Sequence, residues 1–479
     1  MGGIAGLALL VAIGCGNQYR PVVTPIPPTG PAPEPTADVL LVSQPDFTPL
    51  PQGLSSPCTG VVYPTPSVFT LVNFSGDSIV AQANGGNGPL TFSLDISGSG
   101  YAFAPNCDGT LTTALPSVAS LLTQKVQTST LLPDSEPTNT LLANGSLYVT
   151  EVGLHGPTCQ VTNCVAQMTG SPEALKQEIP VAPSVINLSG YGSGERIYSI
   201  SQGNSLSGTQ PAWGDCDNPS AVTANGEADA IETVNNTISA RLPLGICPVY
   251  GFMTPDTYRT FVMNRGSGTV TVINSQLNAI DSQHPTITVG AGPVYADYYQ
   301  NGQLLVTANY DSNTISIIDV SLDVYGNDSS TFGTVRATVP VGLHPVEVSV
   351  LQDGSRIYIA NQGQIAPDGT VAVPGSVTVV NLTTFAVEKT IPLTSNPHAI
   401  ASVYNYPIGK VYISSQNSPY LTIIRTDTDI VSATPEMQGN IIEMRVSSQF
   451  PDQTASSSSP ASSTGNYQVE SRSVGSGAP

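Results

Sequence analysis

The sequence predicts an all-β chain folded as a single β-propeller of four-stranded blades, eight by tally with seven as the alternative. Three observations carry that reading. A phrase recurs along the chain, one proline returns at a near-constant interval, and the two ends of the repeat region each supply part of a blade.

The phrase is clearest in ERIYSISQGN at 195–204 and SRIYIANQGQ at 355–364. Its grammar returns in TFVMNRGSGTVTVIN at 260–274, LLVTANYDSNTISIID at 304–319 and KVYISSQNSPYLTIIR at 410–425. Each is an alternating strand, a polar turn and a second alternating strand, so every second side chain faces one side. A third strand follows, in ALKQEIPVAP at 174–183, TISARLPLGICP at 237–248, VRATVPVGLHP at 335–345 and AVEKTIPLTSNP at 386–397. After the final proline comes a fourth apolar segment. That proline falls at Pro89, Pro137, Pro183, Pro248, Pro293, Pro345 and Pro397, at intervals of 48, 46, 65, 45, 52 and 52. Four short strands at roughly 45-residue spacing mark propeller blades.

A second set of prolines orients the blade. Pro180, Pro243, Pro340, Pro392 and Pro435 share one register, inside the third strand of the phrase. Proline has no N–H to donate, so an edge strand tolerates it and a central strand does not. That strand is therefore expected at the outer edge. The ring also needs a seam. GNIIEMRVS at 439–447 is an inner strand with nothing after it, while DVLLVSQ (38–44), VFTLVN (68–73) and SIVAQANGGNGP (78–89) are three strands with no inner strand before them. Pairing the two ends completes a composite blade and removes open edges. Residues 90–132 supply a further blade in the count of eight.

The units resemble YVTN-type β-propeller repeats, through YIAN at 358–361, TISIID at 314–319 and TVPVGLHP at 338–345. The resemblance covers 183–446 closely and 38–180 more loosely. It implies a fold and says little about chemistry.

The first residues, MGGIAGLALLVAIGCGNQYR, place an apolar run from Ile4 to Ile13 before Gly14 and Cys15. This resembles a bacterial lipoprotein signal, which implies lipidation of Cys15. No Lys or Arg precedes the run, and Ala12 stands where that motif usually has Leu; a non-lipidated signal or a buried apolar strand is the alternative. The Pro-rich stretch 21–36 reads as a stiff tether. The expected organisation is a signal segment at 1–15, a tether at 16–37, the propeller at 38–447 and a disordered Ser-rich tail at 448–479. The corresponding location is the bacterial cell envelope, membrane-anchored and either periplasmic or on the cell surface.

Composition narrows the partners. Asp and Glu number 34 against 14 Lys and Arg, a formal charge of −20 that opposes nucleic-acid binding. The 45 Gly and 41 Pro suit a turn-rich β protein. Past residue 15 no stretch approaches the ~18 apolar residues of a membrane helix. With Cys15 set aside, six cysteines remain: Cys58, Cys107, Cys159, Cys164, Cys216 and Cys247. An even number in an exported chain suggests disulfides. Cys216–Cys247, Cys58–Cys107 and Cys159–Cys164 are the expected pairs, with reactive thiols as the alternative.

In a four-stranded blade the second-to-third-strand loops and the blade-to-blade turns share one face. The long loops at 45–67, 151–164, 203–226 and 363–374 all fall there, together with the six cysteines. Trp213, Asp215 and Asp217 sit in the longest insertion, suited to a sugar, peptide or Ca²⁺, or to anchoring the insertion itself. His344 and His398 flank equivalent turn prolines near the pore; a metal there would need more ligands than four histidines provide, and neither a metal nor another cofactor is expected. No Gly-x-Ser-x-Gly, HExxH or phosphate-loop motif occurs, and no acid–base pair stands out. The expected function is binding or scaffolding of an envelope protein or glycan by a monomer held to the membrane through its lipid. The alternatives are a lactonase-like hydrolase with carboxylates at the pore, and a propeller partner in periplasmic electron transfer.

Overall fold

The computed structural model describes residues 38–46 and 63–446, apart from 92, 95–100, 116, 125, 131–135, 153–162, 171–172, 192–193, 209, 212–213, 404–407 and 416. The signal, tether and tail expected at the two ends lie outside the described residues, as does Trp213.

Eight antiparallel four-stranded blades form the ring, at 93–130, 136–180, 185–246, 248–288, 293–340, 345–392, 397–433 and across the two ends. In each of the first seven the chain runs from inner strand to outer strand in order. The one α-helix among the described residues is the five-residue Val118–Leu122. No helix among them is long and apolar enough to cross a membrane.

The composite blade closes as expected. Asn440–Val446 is its inner strand and pairs antiparallel with Asp38–Gln44, matching Val39 to Val446, Leu41 to Met444 and Val42 to Glu443. Val68–Asn73 and Ser78–Asn84 complete the sheet outward. The N-terminal strand is thus bonded on both sides. Its Val39, Leu40, Leu41 and Val42 are wholly buried.

Middle strands are buried on both faces because neighbouring blades cover them, as in Arg259–Asn264 and Arg356–Asn361. Outer strands alternate between half-buried and exposed residues, as in Glu173–Pro180 and Val335–Pro340. Pro180, Pro243, Pro340 and Pro392 all sit in outer strands. Pro435 departs from the expectation. Its strand, Ile430–Ala433, stops two residues earlier, and Pro435 serves the edge through its carbonyl, which accepts from Leu421 N.

The repeated phrase has a mechanical meaning. Tyr148, Tyr198 and Tyr358 end the Leu-Tyr and Arg-Ile-Tyr openings, and each hydroxyl donates to a turn residue of the next blade. The acceptors are Asn236 Oδ1 at 2.7 Å, Asn278 Oδ1 at 3.2 Å and Asp429 Oδ1 at 2.6 Å. All three have positive φ, a backbone state that Asn and Asp tolerate better than most residues. The arginine two residues before the tyrosine follows the same rule: Arg196 donates to Ser275 O at 2.8 Å and Arg356 to Thr426 O at 2.6 Å. The closing asparagine of the phrase works within its own blade. Asn264, Asn309 and Asn361 each donate to two hydroxyls at the start of the third strand, such as Thr314 and Ser316 for Asn309.

Inner strands are stitched in turn around the axis. Asn139, Asn187, Asp297 and Glu347 accept from the backbone N–H of Leu188, Gly251, Val350 and Ile400, each in the next blade, at 2.7–3.2 Å.

Leu41→Ala and Met444→Ala, on opposite sides of the seam, should each cost about 2–5 kcal/mol as cavity mutations. Because the two residues face each other, the double variant should depart from additivity by more than about 0.5 kcal/mol in denaturant melts.

Candidate functional site

The longest insertion, between the second and third strands of the 185–246 blade, builds an open groove. It has a volume of about 1180 Å³ and is lined by residues 204, 206–207, 210–211, 214–215, 218 and 221–225. Its aliphatic base comes from the buried Pro211 and half-buried Val222 and Ala224, and its polar rim from exposed Gln210, Asn218, Thr223 and Asn225. Leu206 stands 87% exposed at one end. Asn204 holds it there, because its Oδ1 accepts from both Leu206 N and Ser207 N.

Two anchors fix the insertion. The first is the Cys216–Cys247 disulfide, which ties it to the turn leading into the next blade. Cys107 and Cys164 are disulfide-bonded as well, and the expected pairings with Cys58 and Cys159 extend outside the described residues. The second anchor is a carboxylate pair on Asn225–Glu232. Ser205 Oγ donates to Glu227 Oε1 at 2.6 Å, and Arg241 Nη1 reaches the same oxygen at 3.0 Å. Asp229, wholly buried, accepts from Ala182 N at 2.7 Å and lies 3.4 Å from Arg241. Burial raises the Asp229 pKa to about 7, against the pull of Arg241 and the Ala182 amide. Burial also pushes Glu227 upward, but hydrogen bonds from Ser205, Asp229 and Arg241 prevail and hold it below its ordinary range. The two neighbouring carboxyls are thus pushed in opposite directions.

The residues singled out in the sequence fall into different roles. Asp215 lines the groove. Asp217, in the same short 3-10 turn, points to Arg265 at 3.5 Å. Arg265 is buried, pairs also with Asp311 at 3.2 Å, and lies 4.7 Å above the Tyr310 ring. That ring stacks on His344 at 4.4 Å and 7°. His344 Nδ1 meets Gly363 O at 2.8 Å, so this histidine belongs to a column that fastens three neighbouring blades. His398 is buried on its inner strand. Among the described residues neither histidine joins a set of metal-type ligands.

Sequence reasoning missed a second constellation, among the connections between third and outer strands. Asp281, His284 and Asp328 bring ligand-type atoms within 4.8 Å of one another. Arg259 lies against them, 2.6 Å from Asp328 and 3.8 Å from Asp281, while His284 Nδ1 meets Asp328 Oδ2 at 2.8 Å. Arg259 occupies the same repeat position as Arg196 and Arg356, so this is the inter-blade staple in enlarged form. Two sequence features enlarge it. Pro285 interrupts the outer strand between Ala279–Ile280 and Thr286–Thr288, and an insertion at 320–334 lengthens the next blade's turn. The guanidinium already supplies the cation that both carboxylates need.

Among the described residues the carboxylates of the inner strands are engaged. Asp297 and Glu347 spend an oxygen on backbone amides, and buried Arg445 pairs with Glu443 at 2.8 Å.

Residues 306–401 match the family model of the Choice-of-anchor I domain. Two structures of AztD from Citrobacter koseri, one of them the apo protein, are similar at 10% and 11% identity with TM-scores of 0.52 and 0.53. Each comparison covers 86% of this chain and 98% of AztD. A functionally unknown protein from Desulfotomaculum acetoxidans DSM 771 aligns at 13% identity and TM-score 0.47, over 71% of this chain and 96% of its own. No curated protein matches. At these identities the likeness is one of fold.

Two outcomes follow. Arg259→Met should cost about 3–5 kcal/mol, since it leaves buried carboxylates with one partner fewer; the melting temperature reads this. For Asp229 the folded pKa lies above the unfolded one, so its burial costs nothing below about pH 4 and progressively more up to about pH 7. Asp229→Asn should therefore raise the melting temperature at pH 8 more than at pH 5.

Proposed function

We propose that this chain is an extracytoplasmic β-propeller of the bacterial envelope that binds an envelope component in the groove at 204–225, without transforming it. The groove carries this reading. It is open, sits on the loop face, and is held by a disulfide and a buried carboxylate pair. Such preorganisation lowers the ordering cost of binding. Cys15 would tether the propeller through a lipid, with 16–37 as spacer. The disulfide supports an oxidising compartment, and the anchor-type family name agrees with an exported, attached protein.

The rival readings find less support. A hydrolase at the pore needs carboxylates available to a substrate, whereas Asp297 and Glu347 hold the ring together. An electron-transfer partner that presents its histidines has His344 engaged in an inter-blade stack.

The test uses the full chain in a bacterial host. Cys15→Ser should move it from the membrane fraction to the soluble fraction and abolish incorporation of labelled fatty acid. Leu206→Asp in the Cys15→Ser background should lower its capture of envelope material at least tenfold, with the melting temperature unchanged. Capture that ignores Leu206 would refute the groove as the site.

A further inference from the structure

The closing blade decides which face of the ring is tied to the rest of the polypeptide. Asn440–Val446 runs from the loop face to the opposite face and Asp38–Gln44 runs back, with Val446 beside Val39. Where the other blades turn from first to second strand, this one has two chain ends. Residues 16–37 therefore join the ring on the face made by the third-to-outer-strand turns, whereas the groove opens on the other. These residues reach at most about 75 Å at full extension, so the connection by itself sets no tilt.

The turn face also carries most of the stray apolar surface. Of the twelve large apolar side chains that stand exposed among the described residues, eight lie in these turns or within two residues of them, on seven of the eight blades. The richest sector is Val234 in the turn at 233–236, Leu277 at 275–278, and Val324 and Tyr325 at 320–334. Val324 is 93% exposed and Tyr325 83%. Their turns hold them outward. Asp323 Oδ1 accepts from Tyr325 N at 2.8 Å and from Asn327 N at 2.9 Å, and Asn274 Oδ1 accepts from Leu277 N at 3.1 Å. A Cβ on Gly326 would lie 2.8 Å from the Tyr258 ring and 3.4 Å from Gln276 Oε1, so the tip of the 320–334 insertion leans on the preceding blade, beside Leu277.

A globular partner covers one compact patch, about 800 Å² on each side. These side chains are instead strung round the ring with polar turn residues between them. A surface that is apolar at shallow depth wherever it is touched can meet them together, and a bilayer interface is such a surface; it also suits the amphipathic ring of Tyr325. We infer that the turn face rests on the lipid bilayer, with Val234, Leu277, Val324 and Tyr325 reaching into its interface, so that the groove is held facing away from the membrane. This rests on the tethering of the chain through Cys15 and adds its orientation. A few apolar side chains bind a bilayer weakly, but a tether keeps the face at an effective concentration on the order of millimolar, where weak contact suffices. Glu195, Asp256, Asp323 and Asp353 are exposed on the same face, so it favours neutral headgroups over anionic ones.

The test is fluorescence quenching of the full chain on vesicles of phosphatidylcholine with brominated acyl chains. Tyr325→Trp and Leu206→Trp are each compared with the parent, whose single Trp213 sets the baseline. One arm uses the chain with its native Cys15, taken from the membrane fraction. The other uses the Cys15→Ser chain held by an N-terminal hexahistidine on nickel-chelating lipid, which tethers the same end without a fatty acid. In both arms the added emission at 325 should fall at least twofold, and that at 206 should not change. Leu277→Asp with Val324→Asp should restore the emission at 325; both positions are exposed, so the melting temperature should not move. Replacing half of the lipid by phosphatidylglycerol should weaken the quenching at low salt, and added salt should bring it back. The inference is overturned by quenching at 206 alone, at both positions equally or at neither, or by quenching at 325 that ignores the double variant. It is also overturned if sedimentation shows a dimer that the double variant breaks, which would give the patch to a second copy. Cys15 without fatty acid, but with the tagged arm quenched as expected, would remove the native anchor and uphold the face. Cys15 carrying fatty acid, with neither arm quenched, would leave the anchor and remove the face.

Discussion

The whole ring depends on one strand pairing, between Asp38–Gln44 and Asn440–Val446. A propeller's blades are stable only as neighbours, since each middle strand relies on a blade at either side to cover its faces. An open ring would expose two such faces and an inner edge. Here the seam lies inside a blade, and the N-terminal strand is bonded on both flanks. Opening it therefore breaks a sheet as well as a blade-to-blade face. The stitching of Asn139, Asn187, Asp297 and Glu347 to the next inner strand then fixes the angle between blades. Buried carboxylates are costly unless they receive hydrogen bonds. These receive a backbone amide from the neighbour, so the cost is lifted only when that neighbour is in place.

This arrangement divides the two faces of the disc. Turns between third and outer strands receive the tyrosine hydroxyls and arginines of the preceding blade, and so are committed to holding the ring. The Arg259, Asp281, His284 and Asp328 cluster shows how far that commitment extends when a turn grows. Loops between second and third strands also fasten neighbouring blades, through Arg265, Tyr310 and Cys216, but at single residues between which the chain can lengthen. Insertions accumulate there, at 203–226 and at 363–374, where Gln364–Ile365 and Val371–Val373 form a small hairpin of their own.

Much of the fold was legible in the sequence because its signals are periodic. Alternation gave the strands, proline spacing the blades, and unpaired end segments the seam. The register proline gave the outer edge, failing only at Pro435, where a short strand stops before its proline. What each letter of the phrase does was not legible. Arg196, Arg356 and Arg259 look alike in the chain, yet their partners lie 67–79 residues away and are set by the neighbouring blade's turn. The staple around Asp328 was missed because Pro285 and the 320–334 insertion read as ordinary loop. The candidate site was half visible: length and a cysteine marked the insertion, while the turn histidines, where no metal was expected, gave no sign that His344 would stack on Tyr310 and meet Gly363 O. A lone histidine beside a turn proline does not announce which carbonyl or ring it will meet.

The interval of 65 residues between Pro183 and Pro248, against 45 to 52 elsewhere in the second half, is where scaffold and groove meet. A long loop normally carries a large ordering cost, and a binding surface made from it would lose affinity to that cost. Three constraints reduce it here. Cys216–Cys247 fastens the far end to the next blade's turn. Asn204 bends the near end, and Ser205 joins it to Glu227 and, through Arg241, to Asp229. The insertion is thus held by residues on two adjacent blades that are themselves fixed by the closed ring. Weakening the seam would loosen the groove without touching a residue that lines it, so the closure would be a condition of the proposed binding as much as of folding.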